Sequence, residues 1–343
     1  MVYLYFMLST GTLFHGGIIV NYFCNAACRH CLYACSPARD SSYISEEMAE
    51  KICESLLKGG CRSVHIGGGE PFINLDGLIM MIRALKRNGI TLEYTETNAY
   101  WAADIYSQQS FLQDAREILQ ILLAEGADTL CISVDPFHAE YVPYGAPLAL
   151  AKLCEKTGMN YFLWRQESLY DLSKLDSQKI HSRADMEKIL SAGYIYKAAR
   201  QYGTTYGGRA VNIEREFAGH FPAENFTGKK TPCRNLLSTG HFHVDLNGYF
   251  IPPGCTGIRI PLTEAIAGIQ KGKYPVFEAL YDGGISGLME FALKHGFSAE
   301  NAEPKNQGYP SKCNLCFYIR KFLSEKDFVE LDKEHYRQAL KFY

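Results

Sequence analysis

The sequence predicts an α/β protein built on a parallel sheet. Between residue 17 and about residue 165, β-branched or aromatic runs alternate with helical patterns, each pair taking roughly thirty to forty residues, the spacing of parallel strands joined by helices. Composition agrees: of 343 residues, 47 % are hydrophobic and 21 % charged, enough apolar surface for a sizeable core and too much for wholesale disorder. The length suggests about two domains.

The first strand is predicted over 18–23. A helix follows, opening at Ser45 with Glu46 and Glu47 in its first turn and stopping at Gly59-Gly60. The second strand falls at 63–66. Residues 75–88 carry Leu78, Ile79, Ile82 and Leu85 at helical spacing before Gly89. A third strand covers 91–97, a helix about 108–125, a fourth strand 129–134 ended by Pro136, a helix 146–157 and a fifth strand 161–164. The polar stretch 166–183 reads as surface loop and about 184–202 as one helix. Beyond about residue 220 the alternation ends, and 241–251 is a hairpin turning at Asn247-Gly248. The domain boundary is set there, giving 1–220 and 221–343.

Charge excludes some partners. Lys and Arg number 35 against 37 Asp and Glu, so no global field favours nucleic acid or an anionic membrane. Met1 to Cys28 lacks Lys, Arg, Asp and Glu, yet has no basic start, and Ser9, Thr10, Gly11, Thr12 and His15 interrupt its apolar run before ~18 residues. It reads as a buried initial strand, and a cytoplasmic location follows as the expectation. In that reducing compartment cysteines more often bind metal or do catalysis than form disulfides. The 12 cysteines are too sparse for a disulfide scaffold, which needs ~8–10 %.

Cys24, Cys28 and Cys31 form CxxxCxxC directly after the first strand. Three thiolates suit iron, because a structural zinc wants four protein ligands whereas a cluster on three cysteines keeps one iron open. A zinc site completed by His30 is the alternative. Gly67-Gly68-Gly69-Glu70-Pro71 lies at the exit of the second strand, at the same end of the sheet. Ligands bind at that carboxyl end in α/β folds. Glycines let a ligand approach the backbone, and Glu70 can accept hydrogen bonds from a ligand ammonium.

Together these motifs make residues 18–210 resemble the radical S-adenosylmethionine (SAM) enzymes, which pair CxxxCxxC after the first barrel strand with GGEP after the second. The resemblance implies a partial (β/α)6 TIM-like barrel in 1–220. It implies a 4Fe-4S cluster on Cys24, Cys28 and Cys31, with SAM bound to its open iron. His30 would occupy the usually aromatic position whose backbone meets adenine, a mild departure. Gly67, Gly68, Gly69 and Glu70 would hold the methionine amine. Ser133 and Asp135 match the fourth-strand position that meets ribose and carboxylate, with a polar strand cap as the alternative. Thr97 and Asn98 match a third-strand exit, with an Asx-turn as the alternative. Gly208-Arg209-Ala210 resembles a segment frequent near the last barrel strand of enzymes with extra clusters.

Cys233, Cys255, Cys313 and Cys316 supply four thiolates, adequate for zinc or for a cluster with no open site. Their order, with Gly248 between the first two, resembles the SPASM or twitch extensions of radical SAM enzymes. Because the gap from Gly248 to Cys255 is longer than usual and a full SPASM domain has more cysteines, residues 221–343 read as a shortened extension with at most one auxiliary 4Fe-4S cluster. Structural zinc and unligated thiols are the alternatives. Cys53, Cys61, Cys131 and Cys154 are assigned packing roles. Cys35 is close enough to the loop to serve as hydrogen donor or substrate ligand, though packing is the expectation there too.

The resemblance implies reductive cleavage of SAM to a 5'-deoxyadenosyl radical that abstracts hydrogen from substrate, with a reductant such as flavodoxin or ferredoxin. The expected substrate is a peptide or protein side chain in peptide natural product maturation. A small metabolite is the alternative, and an iron-sulfur electron-transfer protein without SAM chemistry is another. Only 23 residues precede Cys24, too few for a leader-recognition domain, so a separate leader-peptide-binding protein is expected to present a peptide. His138, Glu140, Tyr141 and Tyr144 are candidate substrate contacts, with a solvated loop as the alternative. The pattern supplies no catalytic acid or base.

Overall fold

Eight strands form one sheet in the computed structural model, which describes residues 8–102, 109–298 and 308–342. The first repeats run β1 (Gly16–Ile19), α1 (Glu46–Lys58), β2 (Ser63–Gly67), α2 (Leu75–Arg87) and β3 (Thr91–Thr97). Then come α3 (Gln109–Glu125), β4 (Thr129–Ser133), α4 (Gly145–Thr157) and β5 (Asn160–Trp164). Each boundary has a local cause. Ser45 caps α1 by accepting from the Met48 amide, Asn74 caps α2 by accepting from the Gly77 amide, and Gly158 ends α4 at φ 78°. The predicted strands and helices of this half are all present. The N-terminal 1–7 and the predicted helix start at Gln108 lie outside the described residues.

The first strand differs from its expected span. It begins at Gly16, and hydrogen-bonded pairing stops at Ile19 because the chain then turns into the cysteine loop, held by single bridges from Asn21 to Tyr43 and from Phe23 to Ser36. Two further expectations need correction. The stretch read as surface loop contains α5 (Leu169–Leu172), whose Leu172 is buried, and Ser168 beside it donates to the Val134 carbonyl at 2.9 Å. The single helix over 184–202 is two, α6 (Arg183–Ile189) and α7 (Tyr194–Gln201), parted at Gly193 with φ 65°, a left-handed residue that no continuous helix accommodates.

Strand order is β5-β4-β3-β2-β1-β6-β7-β8. β1 to β5 are parallel, as is β6 (Phe242–Asp245), which pairs with β1 on the side away from β2. The sixth parallel strand therefore comes from past residue 220 and lies against the first strand. The segment around Gly208-Arg209-Ala210 is a single 3-10 turn leading into α8 (Val211–Phe217). The predicted hairpin is formed by β6 and β7 (Tyr249–Ile251), with β8 (Ile260–Pro261) outside it. Asp245 Oδ1 accepts from the Asn247 and Tyr249 amides, and Gly248 takes φ 78°. The remaining helices are α9 (Glu224–Thr227), α10 (Leu262–Ala267), α11 (Pro275–Lys294), α12 (Lys312–Ser324) and α13 (Lys333–Lys341). Ile18, Val64, Ile66, Leu130, Ile132, Phe242 and Val244, all fully buried, make the strands' share of the core. Cys53, Cys61, Cys131 and Cys154 are buried, and Cys131 lines the cavity that the cysteine loop faces. Among the described residues no helix is long and apolar enough to cross a membrane.

Candidate functional site

The cysteine loop and the glycine turn are stitched together by backbone. The Val20 amide donates to the Gly67 carbonyl at 3.0 Å, the Gly69 amide to the Asn21 carbonyl at 2.9 Å, and the Glu70 amide to the Phe23 carbonyl at 3.2 Å. Asn21 adds its side chain, accepting from the Gly69 amide at 3.0 Å and donating to the Glu70 carbonyl at 3.1 Å. A β-carbon at position 69 would lie 2.0 Å from the Phe23 carbonyl oxygen. Glycine is required there because two backbones meet, a reason distinct from ligand approach.

Glu70 is buried, and its carboxylate accepts from the Phe72 amide at 3.1 Å, the Thr97 hydroxyl at 3.0 Å and the Asn98 amide at 2.7 Å. Burial pushes its pKa up to about 7 despite these donors, which lower it. Asn98 forms the Asx-turn weighed from sequence, with Oδ1 accepting from the Tyr100 amide at 2.9 Å. Its Nδ2 also donates to Asn25 Oδ1 at 2.9 Å and points to Cys24 Sγ at 3.7 Å. The third-strand exit therefore both closes a turn and touches the cysteine loop.

Cys24, Cys28, His30, Cys31, Gly68, Gly69, Glu70, Asn98 and Ser133 line one cavity of about 440 Å³, a size suited to a small organic ligand. Two predicted binding residues stand behind its wall. Gly67 faces the Glu96 carboxylate. Asp135 is committed to its own turn: Oδ1 accepts from the Phe137 and His138 amides at 2.9 Å and Oδ2 from His138 Nδ1 at 2.8 Å. Burial alone would raise its pKa, but His138 and His30 outweigh it and hold the carboxyl well below the usual carboxylate range. His30 stacks on Phe137 at 4.6 Å, and its Nε2 is 3.6 Å from Asp135 Oδ2. Of the candidate substrate contacts, Glu140 pairs with Arg29 at 3.1 Å and Tyr141 donates to the Ala27 carbonyl at 3.0 Å, both reaching back to the cysteine loop.

Amide donors point at the thiols: the Ala26 amide at Cys24 Sγ (3.4 Å) and the Cys35 amide at Cys31 Sγ (3.3 Å). The Cys31 thiol is drawn well below its ordinary pKa, first by a hydrogen bond from Cys35 and also by the nearby Arg209 charge, while burial raises Cys24 and Cys28. Donors aimed at sulfur suit thiolate ligands of a cluster, so the donor set fits. Arg209, flagged in the sequence only as part of a tripeptide, is fully buried beneath this loop.

The second group comes from three separate stretches of chain. Cys233 precedes a short 3-10 turn, Cys255 follows β7, and Cys313 and Cys316 lie on the first turn and a half of α12. Cys233 and Cys255 share a hydrogen bond, which lowers the Cys233 thiol and raises that of Cys255. Cys316 is raised by burial, and buried Arg320 opposes this, while Cys313 is exposed. Arg320 is itself anchored on the Thr256 carbonyl at 2.8 Å and Tyr336 Oη at 3.0 Å.

A parallel sheet with the CxxxCxxC loop and GGGEP turn on one cavity has the features of a radical SAM domain. Residues 18–169 match the family model described as the Radical SAM superfamily. The family implies a 4Fe-4S cluster and SAM as cofactors. Among curated proteins, the "Putative peptide biosynthesis protein YydG" of Bacillus subtilis (strain 168) is 26% identical over 121 residues, 35% of each chain. The match thus spans about a third of that relative's length. Similar solved structures include anSMEcpe with bound AdoMet, at TM-score 0.40 and 13% identity over 92% of this chain and 97% of that one. Streptococcus suis SuiB bound to S-adenosylmethionine overlaps at TM-score 0.39 and 17% identity over 88% and 72%.

Proposed function

We propose that this chain is a radical SAM enzyme acting on a peptide or protein side chain. The observation that carries the enzymatic reading is the convergence of Cys24, Cys28, Cys31, Glu70 and Asn98 on one cavity. Bound there, a 4Fe-4S cluster and SAM supply one-electron reductive cleavage and hydrogen abstraction. Cys24, Cys28 and Cys31 hold the cluster. Gly68, Gly69 and Glu70 bind the methionine amine, with Asn98 and Ser133 lining the rest of the SAM site. The stitched backbone keeps loop and turn in fixed relation, so cluster and SAM are oriented before reaction.

The similarity to a relative named for peptide biosynthesis supports the peptide substrate. Trp164, which lines the cavity and is 49% exposed, is an aromatic surface for such a substrate at the entrance. Residues 221–343 act as a twitch-like unit in which Cys233, Cys255, Cys313 and Cys316 hold an auxiliary 4Fe-4S cluster. A flavodoxin or ferredoxin in the cytoplasm is the reductant, and a separate leader-binding protein presents the peptide.

The test is anaerobic incubation of the reconstituted full chain with SAM and dithionite. The expected result is 5'-deoxyadenosine from the wild type and none from Cys28→Ala or Cys31→Ala. Wild-type protein that binds iron but forms no 5'-deoxyadenosine would be an electron carrier instead. Iron separates the cluster assignments: about eight per chain for two clusters, about four for one.

A further inference from the structure

Four histidines, His15, His65, His241 and His243, meet on one face of the sheet. In the parallel register Gly17 of β1 is paired with His65 of β2 on one side and with His243 of β6 on the other. Partners in register point to the same face, and glycine offers no side chain between them. A β-carbon at position 17 would lie 2.2 Å from His65 Nε2 and 2.7 Å from His243 Cδ2. The two imidazoles occupy that space, with Nε2 atoms 3.1 Å apart. His241, two residues before His243 and on the same face by strand period, brings a third ring, and one ring nitrogen from each of the three lies within 4.8 Å of the others.

We infer that His65, His241 and His243 form a site for a divalent first-row transition ion such as Zn²⁺, separate from any cysteine-bound group. Imidazole nitrogens suit these ions, and two nitrogens bound at about 2.0–2.1 Å to one tetrahedral centre stand a little over 3 Å apart. The surroundings hold the rings as outer contacts hold metal ligands. Tyr94 stacks on His65 at 4.8 Å and 10°. His15 stacks on His241 at 4.9 Å, and its Nδ1 is fixed by Glu93 at 3.1 Å.

Three histidines leave a fourth position of the ion open. Glu96 Oε1 is 3.8 Å from His65 Nε2, and that carboxylate, His15 and His241 all line the 440 Å³ cavity that the cysteine loop also faces. The fourth position therefore faces the cavity, available to Glu96 or to a substrate carbonyl or carboxylate oxygen. The inference goes beyond the radical SAM reading and does not depend on it, since no cysteine belongs to the donor set.

The test is Zn²⁺ titration of the full chain with its iron-sulfur content already loaded, followed by gel filtration and zinc K-edge absorption, which sees zinc alone. The expected result is one retained Zn²⁺ per chain with nitrogen or oxygen ligands at about 2.0–2.1 Å, imidazole outer scattering and no sulfur at about 2.3 Å. His243→Ala should lose the ion. Because His243 is buried and that variant can unfold, the exposed His241→Ala is the second arm, expected to weaken binding at least tenfold, and Cys313→Ala should leave the nitrogen signature unchanged. Sulfur in the zinc shell, no ion retained by the wild type, or wild-type affinity in His241→Ala would each overturn the inference.

Discussion

The Arg209 guanidinium donates through Nη1 to the Cys28 carbonyl at 2.7 Å, joining two residues 181 positions apart. Its Nη2 donates to the Cys35 carbonyl at 2.8 Å, and its own amide to the Cys31 carbonyl at 3.0 Å. Gly208, at φ 51°, lets this happen: a β-carbon there would lie 2.1 Å from the Leu32 carbonyl oxygen. A buried charged fork thus sets the shape of the cysteine loop from below, with the sulfurs free to face the cavity.

Arg209→Met is therefore expected to strip the Cys35 carbonyl of its side-chain donor and leave the Cys28 carbonyl with the Cys31 amide alone, at about 1–3 kcal/mol. Melting temperature should fall by several degrees. Iron retained after reconstitution should fall as well. Arg209→Lys, with one ammonium in place of a fork, should lie between. Calorimetry and iron assay on the same samples check both.

Gly69 and Gly89 should respond differently to alanine. At Gly69 the new methyl meets the Phe23 carbonyl, backbone that cannot yield without tearing the loop from the turn, so a loss of about 3 kcal/mol or more is expected. At Gly89, with φ 66° and open space around it, the cost is only that of a left-handed alanine, about 1–2 kcal/mol. Denaturant unfolding of the two variants measures the difference.

Glu330 yields a pH dependence. Its Oε1 accepts from the Val276 amide at the start of α11 at 2.8 Å, while Oε2 is buried without a partner. Burial raises its pKa above the usual glutamate range. The folded state then holds this proton more tightly than the unfolded one. Its contribution is full below the ordinary glutamate pKa of about 4.3 and is lost as pH rises through the raised folded value. Glu330→Gln removes the titration, so its melting temperature relative to wild type should climb as pH is raised from about 4 to 8. A flat difference across that range would refute the assignment.

Arg320 is buried beside the second cysteine group, where it opposes the rise that the hydrogen bond to Cys233 and burial give Cys255 and that burial gives Cys316. Arg320→Met should reduce metal held there severalfold. The effect is read most cleanly as iron in a chain already lacking Cys24, Cys28 and Cys31.

Much of this protein was legible in one dimension because the signals are local. Strand and helix periods, the Ser45 and Asn74 caps and the Asn247-Gly248 turn act within a few residues, so the βα repeats up to Trp164 follow from pattern alone. The spacing of Cys24, Cys28 and Cys31 and the run through Glu70 likewise need no partner to be recognised. Less was legible where contacts are distant. The break at Gly193, the burial of Leu172 and the pairing of β6 with β1 depend on what each segment packs against.

The amino-acid sequence by itself determined the βα order, the two cysteine groups and the resemblance to the radical SAM enzymes. Only the tertiary structure decided that Asp135 closes its own turn, that Arg209 underpins the cysteine loop, and that Gly17 opens a gap in which His65 and His243 meet. The physical reason is register. Which side chains share a face is set by strand pairing across dozens to hundreds of residues, and a short motif carries no record of its neighbours.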